Sequence, residues 1–568
     1  MKGKVNIQEA LYEAGAKEIR YDSPRYRFHI EKGSKVWHLE VKWEDHSTLP
    51  SFFLGAEHCI RHRPHISWDR NICYSDGEGI FFDHERLNDV LKGALTKAIQ
   101  VVEDGDAGDL EPFWDELEGY FNSVGPETIR RIAYCYLDLE HTPRKLEAFS
   151  GKNQHIKFFD DTAQCWTLDI ADYQNALIGK DHRRKKGQKN RKQKPKRPQC
   201  YSPVAYYLPL EAPVDPPLPG QTWSIEKVLA LVEPFTSTLP ELNNYLKKNH
   251  QRYLFSIPRP GKDRGTFAVE VNPRQALQTQ IFYYRVIRHT KNYLQKRAGV
   301  PKSLGLNSHK IAIIGCGAVG SHLACMLAQN GFNQMTLVDD DLFLADNCYR
   351  HALSKRYIGQ KKVAALKHYL EDRFLDMEVT PVSEKAQSWA IRNNLEDHDV
   401  LVLATGNPAL ERYLNQLFRS VARPDQVLLS SWLEPLGLGG HIVLHAANSK
   451  GCLNCLYTKE NELVFHPVVS FIEEGQKVTR NLTGCGGAFT PFSALDAQET
   501  AILAARALTS YYSGKRMSAY NCWFGEKEAS ERNGIIPSDV YNTRFKNKDS
   551  WWGQKLRTGC PVCRDRQA

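Results

Sequence analysis

A glycine-rich turn followed by an acidic segment is the first part of the sequence that suggests chemistry. Gly315, Gly317 and Gly320 form the pattern G-x-G-x-x-G directly after the apolar stretch 310–314. Glycines at this spacing allow a tight turn and a close approach of backbone to phosphate, and the N–H groups that open the next helix face the anion. Asp339 closes the next apolar stretch, where a carboxylate can bind ribose hydroxyls. The pattern predicts a nucleotide site but does not separate NAD from ATP.

Four of the 14 cysteines form two matched C-x-x-C pairs, Cys452 with Cys455 and Cys560 with Cys563. Each pair can place two thiolates on one cation, and two pairs complete a closed tetrahedral zinc site of the structural kind. We therefore predict a structural Zn²⁺ that ties the second pair back to the sheet. Coincidental core cysteines are the alternative, and a redox dithiol is disfavoured because there are two pairs.

Two solitary cysteines lie in settings that suit a nucleophile. Cys485 lies in the glycine-rich stretch "TGCGG", just ahead of a helix that we predict to begin with Thr490 and Pro491. A thiolate in a loop before a positive helix end is well placed to attack a carbonyl. Cys73 lies in "RNICYSD", between stretches of alternating and helical periodicity. Packing of a small side chain is the alternative for both, and Cys59 is the alternative nucleophile at the front of the chain.

The elements that would position Cys73 belong to a predicted α+β domain, residues 1–125. Residues 6–19 have helical periodicity, 26–33 and 35–43 alternate like strands of an antiparallel meander, and 84–103 form an amphipathic helix.

The rest of the chain is predicted to form two further domains. Residues 126–305 are interpreted as a β-rich linking domain, with a helix over 280–299 and a flexible basic insertion at 181–198. From 306 to 568, apolar strands alternate with helices, which favours a Rossmann-like, mostly parallel sheet covered on both faces. The fold class is multidomain α/β and α+β.

Composition limits the classes of function. The chain has 568 residues and a net charge of +9, and no apolar run reaches the length of a membrane helix. The N-terminus lacks the apolar stretch of a signal peptide, so a soluble, cytoplasmic protein without a membrane partner is expected. Residues 181–198 hold ten Lys or Arg but no aromatic side chains for base stacking, so nucleic acid is not an expected partner.

The segment after the glycine turn resembles the adenylating domain shared by ThiF, MoeB and ubiquitin-activating enzymes. That family has D-x-D, then N-x-x-R, then a G-x-x-K signature. The matching residues here are Asp339, Asp341, Asn347, Arg350, Gly359 and Lys362. The resemblance implies ATP as the nucleotide, with Arg350 and Lys362 stabilising charge on the phosphates. Asp339 would hold the ribose and Asn347 would position the nucleotide. Lys361 is the alternative to its neighbour Lys362.

One departure from the family concerns Mg²⁺. The family usually has T-D-N after the next strand, and its Asp helps to bind the ion, but this chain has Thr405, Gly406 and Asn407. The expected replacement is the carboxylate of Asp341 or of Glu411.

The front of the chain resembles ubiquitin-conjugating enzymes. Residues 62–65, His-Arg-Pro-His, stand where that family has H-P-N, and residues 72–74, Ile-Cys-Tyr, stand where it has I-C-L. The resemblance implies that Cys73 is a catalytic nucleophile, although a binding-only version of the fold is the alternative. His65 replaces the family Asn that stabilises the oxyanion. At the back, the resemblance likewise implies that Cys485 carries a thioester.

Together these segments, about 5–125 and 306–568, resemble bacterial fused activating–conjugating (E1–E2) proteins, including those of anti-phage CBASS operons. The resemblance implies that ATP adenylates the C-terminal carboxylate, usually glycine, of a protein substrate. The acyl group would pass through Cys485 and Cys73 to a lysine of an acceptor protein. The substrate would be a CD-NTase-like cyclic-nucleotide synthase or a ubiquitin-like protein, and a homodimer is expected.

The sequence leaves three alternative functions. A sulfur-carrier adenylyltransferase of the MoeB or ThiF type would not need Cys73. An NAD oxidoreductase is disfavoured by Asn347, Arg350 and the lysine pair. A non-catalytic scaffold that binds nucleotide and a partner protein stays possible because of Gly406.

Overall fold

The structure, a computed structural model, divides into two units, Met1–Thr290 and Lys291–Ala568. The described residues are 6–44, 47–76, 83–108, 111–125, 131–137, 139–150, 156–159, 204–242, 251–259, 262–272, 280–300, 304–375, 377–392, 395–460, 462–481, 488–514, 518–546, 554–556 and 560–563.

The first unit begins with a four-stranded antiparallel sheet in the order β1-β2-β3-β4, packed against two helices. The elements are α1 (Ile7–Glu13), β1 (Lys17–Asp22), β2 (Arg25–Lys32), β3 (Lys35–Lys42), β4 (Ser51–Leu54) and α2 (Leu87–Asp106). Phe28, Trp37 and Leu39 from the sheet and Leu91 and Leu95 from α2 are buried in a common core.

The strands at 26–33 and 35–43 are confirmed, but the helix predicted over 6–19 is too long. It ends at Glu13, because Gly15 adopts a left-handed conformation with φ +86° that stops the helix. Residues 17–22 then form β1.

Seven strands of the first unit close into a barrel in the order β10-β11-β5-β7-β6-β8-β9. The elements of this part are α3 (Glu111–Asp115), α4 (Leu117–Ser123), β5 (Arg131–Cys135), β6 (Arg144–Ser150), β7 (Ile156–Phe159), β8 (Val204–Pro209), α5 (Ile225–Val232), β9 (Gln251–Arg259), β10 (Lys262–Asn272) and β11 (Gln280–Arg288). The expected β-rich region is therefore a barrel. The basic run 181–198 lies outside the described residues.

The helix predicted over 280–299 is wrong for its first half. Residues 280–288 are β11, and only α6 (Lys291–Arg297) is helical. The stretch is rich in aromatic and β-branched residues that suit a pleated surface, and Tyr283 and Tyr284 are buried against the barrel. The Tyr284 hydroxyl donates to buried Glu270 on the neighbouring strand β10.

The second unit is built on an eight-stranded sheet in the order β14-β13-β12-β15-β16-β17-β22-β23. The strands are β12 (Lys310–Ile314), β13 (Gln334–Val338), β14 (Glu378–Val382), β15 (Val400–Leu403), β16 (Val427–Leu433), β17 (Gly439–Ala446), β22 (Ala519–Phe524) and β23 (Gln554–Lys555). Short two-stranded pairings are formed by β18 (Thr458–Lys459) with β19 (Glu462–Leu463) and by β20 (Arg480–Asn481) with β21 (Ala488–Phe489). The first five strands of the sheet are parallel and the other three antiparallel.

Helices cover both faces of this sheet, as predicted. They are α7 (Ala318–Gln329), α8 (Lys362–Arg373), α9 (Ala386–Arg392), α10 (Pro408–Val421), α11 (Ala494–Tyr512), α12 (Glu528–Arg532) and α13 (Asp539–Phe545). Apolar side chains from α7, α8 and α11 form a core on one face, and those from α9 and α10 form a core on the other. The order in which strands are added reverses at β12, with β13 and β14 on one side and β15 and β16 on the other. Open α/β sheets bind ligands at this kind of position.

The N-terminus of α11 differs from the prediction. The helix begins at Ala494 and is capped by Ser493, whose hydroxyl accepts from the Asp496 N–H while Asp496 accepts from the Ser493 N–H. Thr490 and Pro491 precede the helix. None of the helices in the described residues has the length and apolar character of a membrane span.

Candidate functional site

The glycine turn joins β12 to α7 at the carboxyl end of the parallel strands. Gly315 has φ +92°, and a Cβ there would lie 2.5 Å from the Ala404 carbonyl oxygen. A Cβ on Gly320 would overlap the Gly315 carbonyl oxygen, so helix and strand pack this closely only without side chains. Gly317 is different, because a Cβ there would meet no atom within 4 Å. Its open side is where a phosphate can approach the backbone.

Asp339 follows β13 and is fixed by the glycine turn itself. Its Oδ2 accepts the Cys316 N–H at 2.7 Å, and its Oδ1 accepts the Asp341 N–H at 2.9 Å. The half-buried carboxylate is thus held beside the turn, with lone pairs left for ribose hydroxyls.

The three cationic side chains considered for the phosphates, Arg350, Lys361 and Lys362, have different environments. Lys362, at the start of α8, is buried, and its Nζ lies 2.7 Å from Asp341 Oδ2. Lys361 is exposed, and its Nζ donates to the Asp340 carbonyl instead. The Arg350 guanidinium lies 5.3 Å from the centroid of the Phe492 ring, in the segment leading to α11. Among the described residues it has no carboxylate partner.

Asn347 acts within its own loop. Its Oδ1 accepts the Leu344 N–H at 2.9 Å, and its backbone carbonyl accepts the N–H of Arg350. The side chain therefore fixes the turn that carries Arg350.

The loop after β15 holds Gly406, where the family pattern has Asp. Glu411 is buried, and its Oε1 accepts the Thr405 N–H, the Thr405 hydroxyl and the Gly406 N–H at 2.9, 2.9 and 3.2 Å. Burial raises the pKa of this carboxyl to about 7. The Glu411 carboxylate is already bonded to the Thr405–Gly406 loop, whereas the Asp341 carboxylate is exposed. Asp341 is therefore the better candidate Mg²⁺ ligand of the two.

Cys452, Cys455, Cys560 and Cys563 are brought together and are all buried. The Sγ–Sγ distances are 3.8 Å for the pair 452/560, 3.5 Å for 455/563 and 3.3 Å for 560/563. A tetrahedron with Zn–S bonds of about 2.3 Å has edges of about 3.8 Å, so four thiolates at these separations fit a closed zinc site.

Cys73 lies in the first unit and is exposed. Its N–H donates to the His65 carbonyl at 2.8 Å, and its Sγ lies 3.8 Å from the Ser75 carbonyl oxygen. The pKa of the thiol is raised, first by partial burial and then by the carboxylates of Glu116 and Asp76. Cys59, the alternative nucleophile, is buried and its Sγ donates to the Gly55 carbonyl.

Comparison with known protein families gives separate matches for the front and the back of the chain. Residues 289–525 match the model of the ThiF family, and residues 7–129 match the model of Prokaryotic E2 family B. The chain combines a ThiF-family domain with a prokaryotic E2 family B domain.

Individual relatives match parts of the chain. The ATP-dependent ubiquitin transferase-like protein Cap2 of Pseudomonas aeruginosa (strain BWHPSA011 / Pa011) is 28% identical over 238 residues, 40% of this chain and 40% of that protein. The adenylyltransferase and sulfurtransferase MOCS3 of Aedes aegypti is 26% identical, over 30% of this chain and 38% of that protein. This chain thus spans about two fifths of the length of these curated relatives. The crystal structure of E. coli MccB with ATP is 18% identical, covers 48% of this chain and 73% of that chain, and has a TM-score of 0.33.

His351 is a residue of the ThiF-family domain that the sequence analysis missed. Its Nδ1 accepts the Leu353 N–H at 3.1 Å, so Nε2 carries the proton and donates to the Cys316 carbonyl at 2.8 Å. Burial lowers the pKa of this histidine to about 4, which keeps it neutral. His351 therefore holds the glycine turn in place through the Cys316 carbonyl. Its position directly after Arg350 was the only signal in the sequence.

Cys485, the predicted thioester residue of the same domain, lies outside the described residues, as do the glycines beside it.

Proposed function

We propose that this chain uses ATP to activate the C-terminal carboxylate of a protein and then ligates that carboxylate to an amine. The ThiF-family domain forms the acyl adenylate and a thioester on Cys485. The E2 family B domain accepts the acyl group on Cys73 and passes it to a lysine. The observation that carries the proposal is that both domain types occur in one chain.

The residues around the glycine turn support the adenylation step. The substrate carboxylate attacks the α-phosphorus of ATP, a P–O bond forms, and pyrophosphate leaves. Lys362 and Arg350 stabilise the negative charge that gathers on the phosphates, because fixed cations in a partly dry site stabilise such charge strongly. Asp339 holds the ribose, and Asp341, which is paired with Lys362, is the proposed Mg²⁺ ligand.

Two thioesters would preserve the energy of the adenylate until the acceptor arrives. The Cys485 thiolate attacks the acyl carbon and AMP leaves. The Cys73 thiolate attacks the new thioester and releases Cys485 as a thiolate. An amine then attacks the Cys73 thioester, so that a C–N bond forms and a C–S bond breaks.

The proposed substrate is a protein that ends in glycine, either a CD-NTase-like cyclic-nucleotide synthase or a bacterial ubiquitin-like protein. The likeness to the Cap2 protein, an ATP-dependent ubiquitin transferase-like protein, supports a protein substrate of this kind. A homodimer formed through the ThiF-family domain belongs to the same proposal.

A pyrophosphate-exchange assay tests the first step. The purified full-length chain is mixed with ATP, Mg²⁺, labelled pyrophosphate and a peptide that ends in glycine. We expect label to enter ATP only when the peptide has a free C-terminal carboxylate. The same peptide with an amidated C-terminus is the control. Exchange with neither peptide, nor with a candidate substrate protein, would make the chain a nucleotide-binding scaffold.

Non-reducing gels test the transfer steps with the substrate protein that supports exchange. Two thiol-sensitive adducts are expected. Because Cys73 is loaded from the Cys485 thioester, Cys485→Ala should lose both adducts, whereas Cys73→Ala should lose only its own. The likeness to the MOCS3 protein favours a second candidate, a sulfur-carrier adenylyltransferase. A sulfur-carrier adenylyltransferase would still catalyse pyrophosphate exchange, and Cys73→Ala would not affect its activity. The proposed ligation, in contrast, should be abolished by Cys73→Ala.

A further inference from the structure

The turn that carries Cys73 also holds a histidine at a fixed position. Ile66 and Ile72 form an antiparallel bridge, and the Cys73 N–H donates to the His65 carbonyl at 2.8 Å. His65 and Cys73 are therefore neighbours across a narrow turn. His65 has φ +63°, a left-handed conformation that few residues other than glycine adopt and that marks functional sites when the surroundings impose it.

A closed ring of hydrogen bonds imposes this left-handed conformation on His65. The His65 backbone N–H donates to the Tyr120 hydroxyl at 2.7 Å, and that hydroxyl donates to Glu116 Oε2 at 2.7 Å. The other carboxylate oxygen, Glu116 Oε1, lies 3.1 Å from His65 Nδ1. Because a carboxylate accepts, Nδ1 carries the proton, and Nε2 of the neutral ring keeps its lone pair. None of the described residues binds Nε2.

Helix α4 and the barrel hold the two partners in place. Glu116 and Tyr120 are four residues apart and share one face at the start of α4. On the opposite face, Glu118 Oε1 accepts the Thr266 N–H at 2.7 Å and Asn122 Oδ1 accepts the Val286 N–H at 2.8 Å, both in the barrel. Between them, the ring of Phe121 stacks on Phe267 at 4.0 Å, and both rings are buried.

Trp68 fixes the tip of the turn. Its indole N–H donates to the Gln221 carbonyl at 2.6 Å, its carbonyl accepts the Gly220 N–H, and its backbone N–H donates to the Ser123 hydroxyl. The turn and the helix are thus joined at both ends, which keeps the imidazole of His65 in one position.

We propose that His65 is the catalytic base that takes the proton from the acceptor amine during attack on the Cys73 thioester, with Glu116 and Tyr120 as positioning residues. This inference rests on the proposed function, since it needs an acyl group on Cys73. A lysine side chain has an ordinary pKa of about 10.4, so an adjacent base is of value at neutral pH.

The step balances within the site. His65 Nε2 takes a proton from the lysine ammonium, and the Glu116 carboxylate stabilises the imidazolium through Nδ1–H. The neutral amine then attacks the thioester carbon, the C–N bond forms and the C–S bond breaks. Cys73 leaves as a thiolate and recovers that proton from His65, and the second proton of the nitrogen passes to water. Neither an oxidant nor a further reactant is needed.

The directions of the pKa shifts agree with the proposed proton transfers. The hydrogen bond to Glu116 raises the pKa of His65, which makes it a stronger base. Burial would raise the pKa of Glu116, but its bonds to His65 and Tyr120 hold it below the ordinary value. Glu116 is the titratable group that shifts the pKa of His65, while Glu116 and Asp76 act on Cys73, and Glu116 and Cys73 act on Tyr120. The raised pKa of Cys73 makes its thiolate a ready acceptor of the returning proton.

The test loads Cys73 chemically, so that it does not depend on ATP. The full-length chain is acylated with the mercaptoethanesulfonate thioester of acetylglycine, and the acyl group on the Cys73 peptide is followed by mass spectrometry. Discharge is measured at pH 7 with free lysine and with hydroxylamine, which is already neutral at that pH. A failure of adenylation would appear only in the exchange assay and would not affect this experiment.

His65→Asn is the informative variant, because asparagine tolerates the left-handed conformation and can donate a hydrogen bond but cannot take a proton. We expect discharge to lysine to slow about 100-fold, within the range that general-base catalysis contributes. Discharge to hydroxylamine should stay within about threefold of the unmodified chain. His38→Asn is the matched control, because His38 also lies beside a glutamate, with Nδ1 2.8 Å from Glu57 Oε1. An unchanged lysine rate, or equal slowing with both nucleophiles, would overturn the assignment.

Glu116→Gln tests the positioning role through the pH profile. The lysine rate, divided by the rate of His65→Asn at each pH, should rise as His65 loses its proton. Removing the carboxylate lowers the pKa of His65, so the midpoint of this rise should move to lower pH and the plateau should fall. A midpoint that does not move would show that Glu116 does not act on His65.

Discussion

Lys362 is the cation near the glycine turn whose position is most constrained. Its side chain is buried, its Nζ lies 2.7 Å from Asp341 Oδ2, and its N–H donates to the Asp341 carbonyl. A buried charge persists in a protein only when it is paired, and a charge held this way is already oriented when a phosphate arrives. Lys361 points to the Asp340 carbonyl from an exposed position and lacks this preorganisation.

We therefore expect the two adjacent lysines to behave differently in the pyrophosphate-exchange assay. Lys362→Ala should lower the exchange rate by about 100- to 1000-fold, the usual effect of removing one preorganised charge-stabilising group. Lys361→Ala, the matched control, should change it by less than about threefold. The opposite ranking would assign the phosphate to Lys361.

The sequence predicted these residues because they lie in short motifs with fixed spacing. The ring around His65 could not be predicted in that way. Glu116 and Tyr120 are far from Cys73 along the chain, and only the seating of α4 on the barrel brings them to the turn. Glu411 was expected as a possible Mg²⁺ ligand, but its burial and its three contacts to the Thr405–Gly406 loop depend on tertiary packing.

At the scale of elements, the contact between β12 and α7 determines how closely a phosphate can approach. Gly320 lies where the helix crosses the Gly315 carbonyl, whereas Gly317 faces open space. The two glycines therefore have separable roles, one in packing and the other in ligand access.

Alanine substitutions should separate these roles. Gly320→Ala forces helix and strand apart and should lower the melting temperature of the ATP-free chain by about 5 °C or more. Gly317→Ala should lower it by less than half as much, yet should weaken binding of a fluorescent ATP analogue at least about tenfold, because the methyl group occupies the phosphate approach. Equal losses of stability in the two variants would contradict this assignment.

Element types were predicted well where periodicity was unambiguous and poorly where it was not. The parallel strands β12, β13 and β15 are short and apolar, and they were predicted from these features. The stretch 280–288 has aromatic residues at positions compatible with either a helix or a strand, and barrel closure decides between them. Likewise, the left-handed Gly15, not propensity, separates α1 from β1.

At the scale of the whole molecule, the four-cysteine cluster joins segments 108 residues apart within the second unit. Cys452 and Cys455 follow β17, and the intervening chain contains α11, which packs on the sheet, and β22, which is one of its strands. A metal bound only by the folded state stabilises that state by its binding free energy. The cluster should therefore stabilise the second unit without taking part in the chemistry.

We expect about one zinc ion per chain by elemental analysis of protein purified without chelator. Cys563→Ser should remove the metal and lower the melting temperature of the domain, because three ligands bind zinc more weakly than four. Cys522→Ser is the matched control, since Cys522 is a buried cysteine on β22 outside the cluster, and it should keep the zinc. A strong chelator should reproduce the loss of stability in the unmodified chain but have little further effect on Cys563→Ser. Metal-free protein with an unchanged melting temperature would instead make the four thiols ordinary core residues.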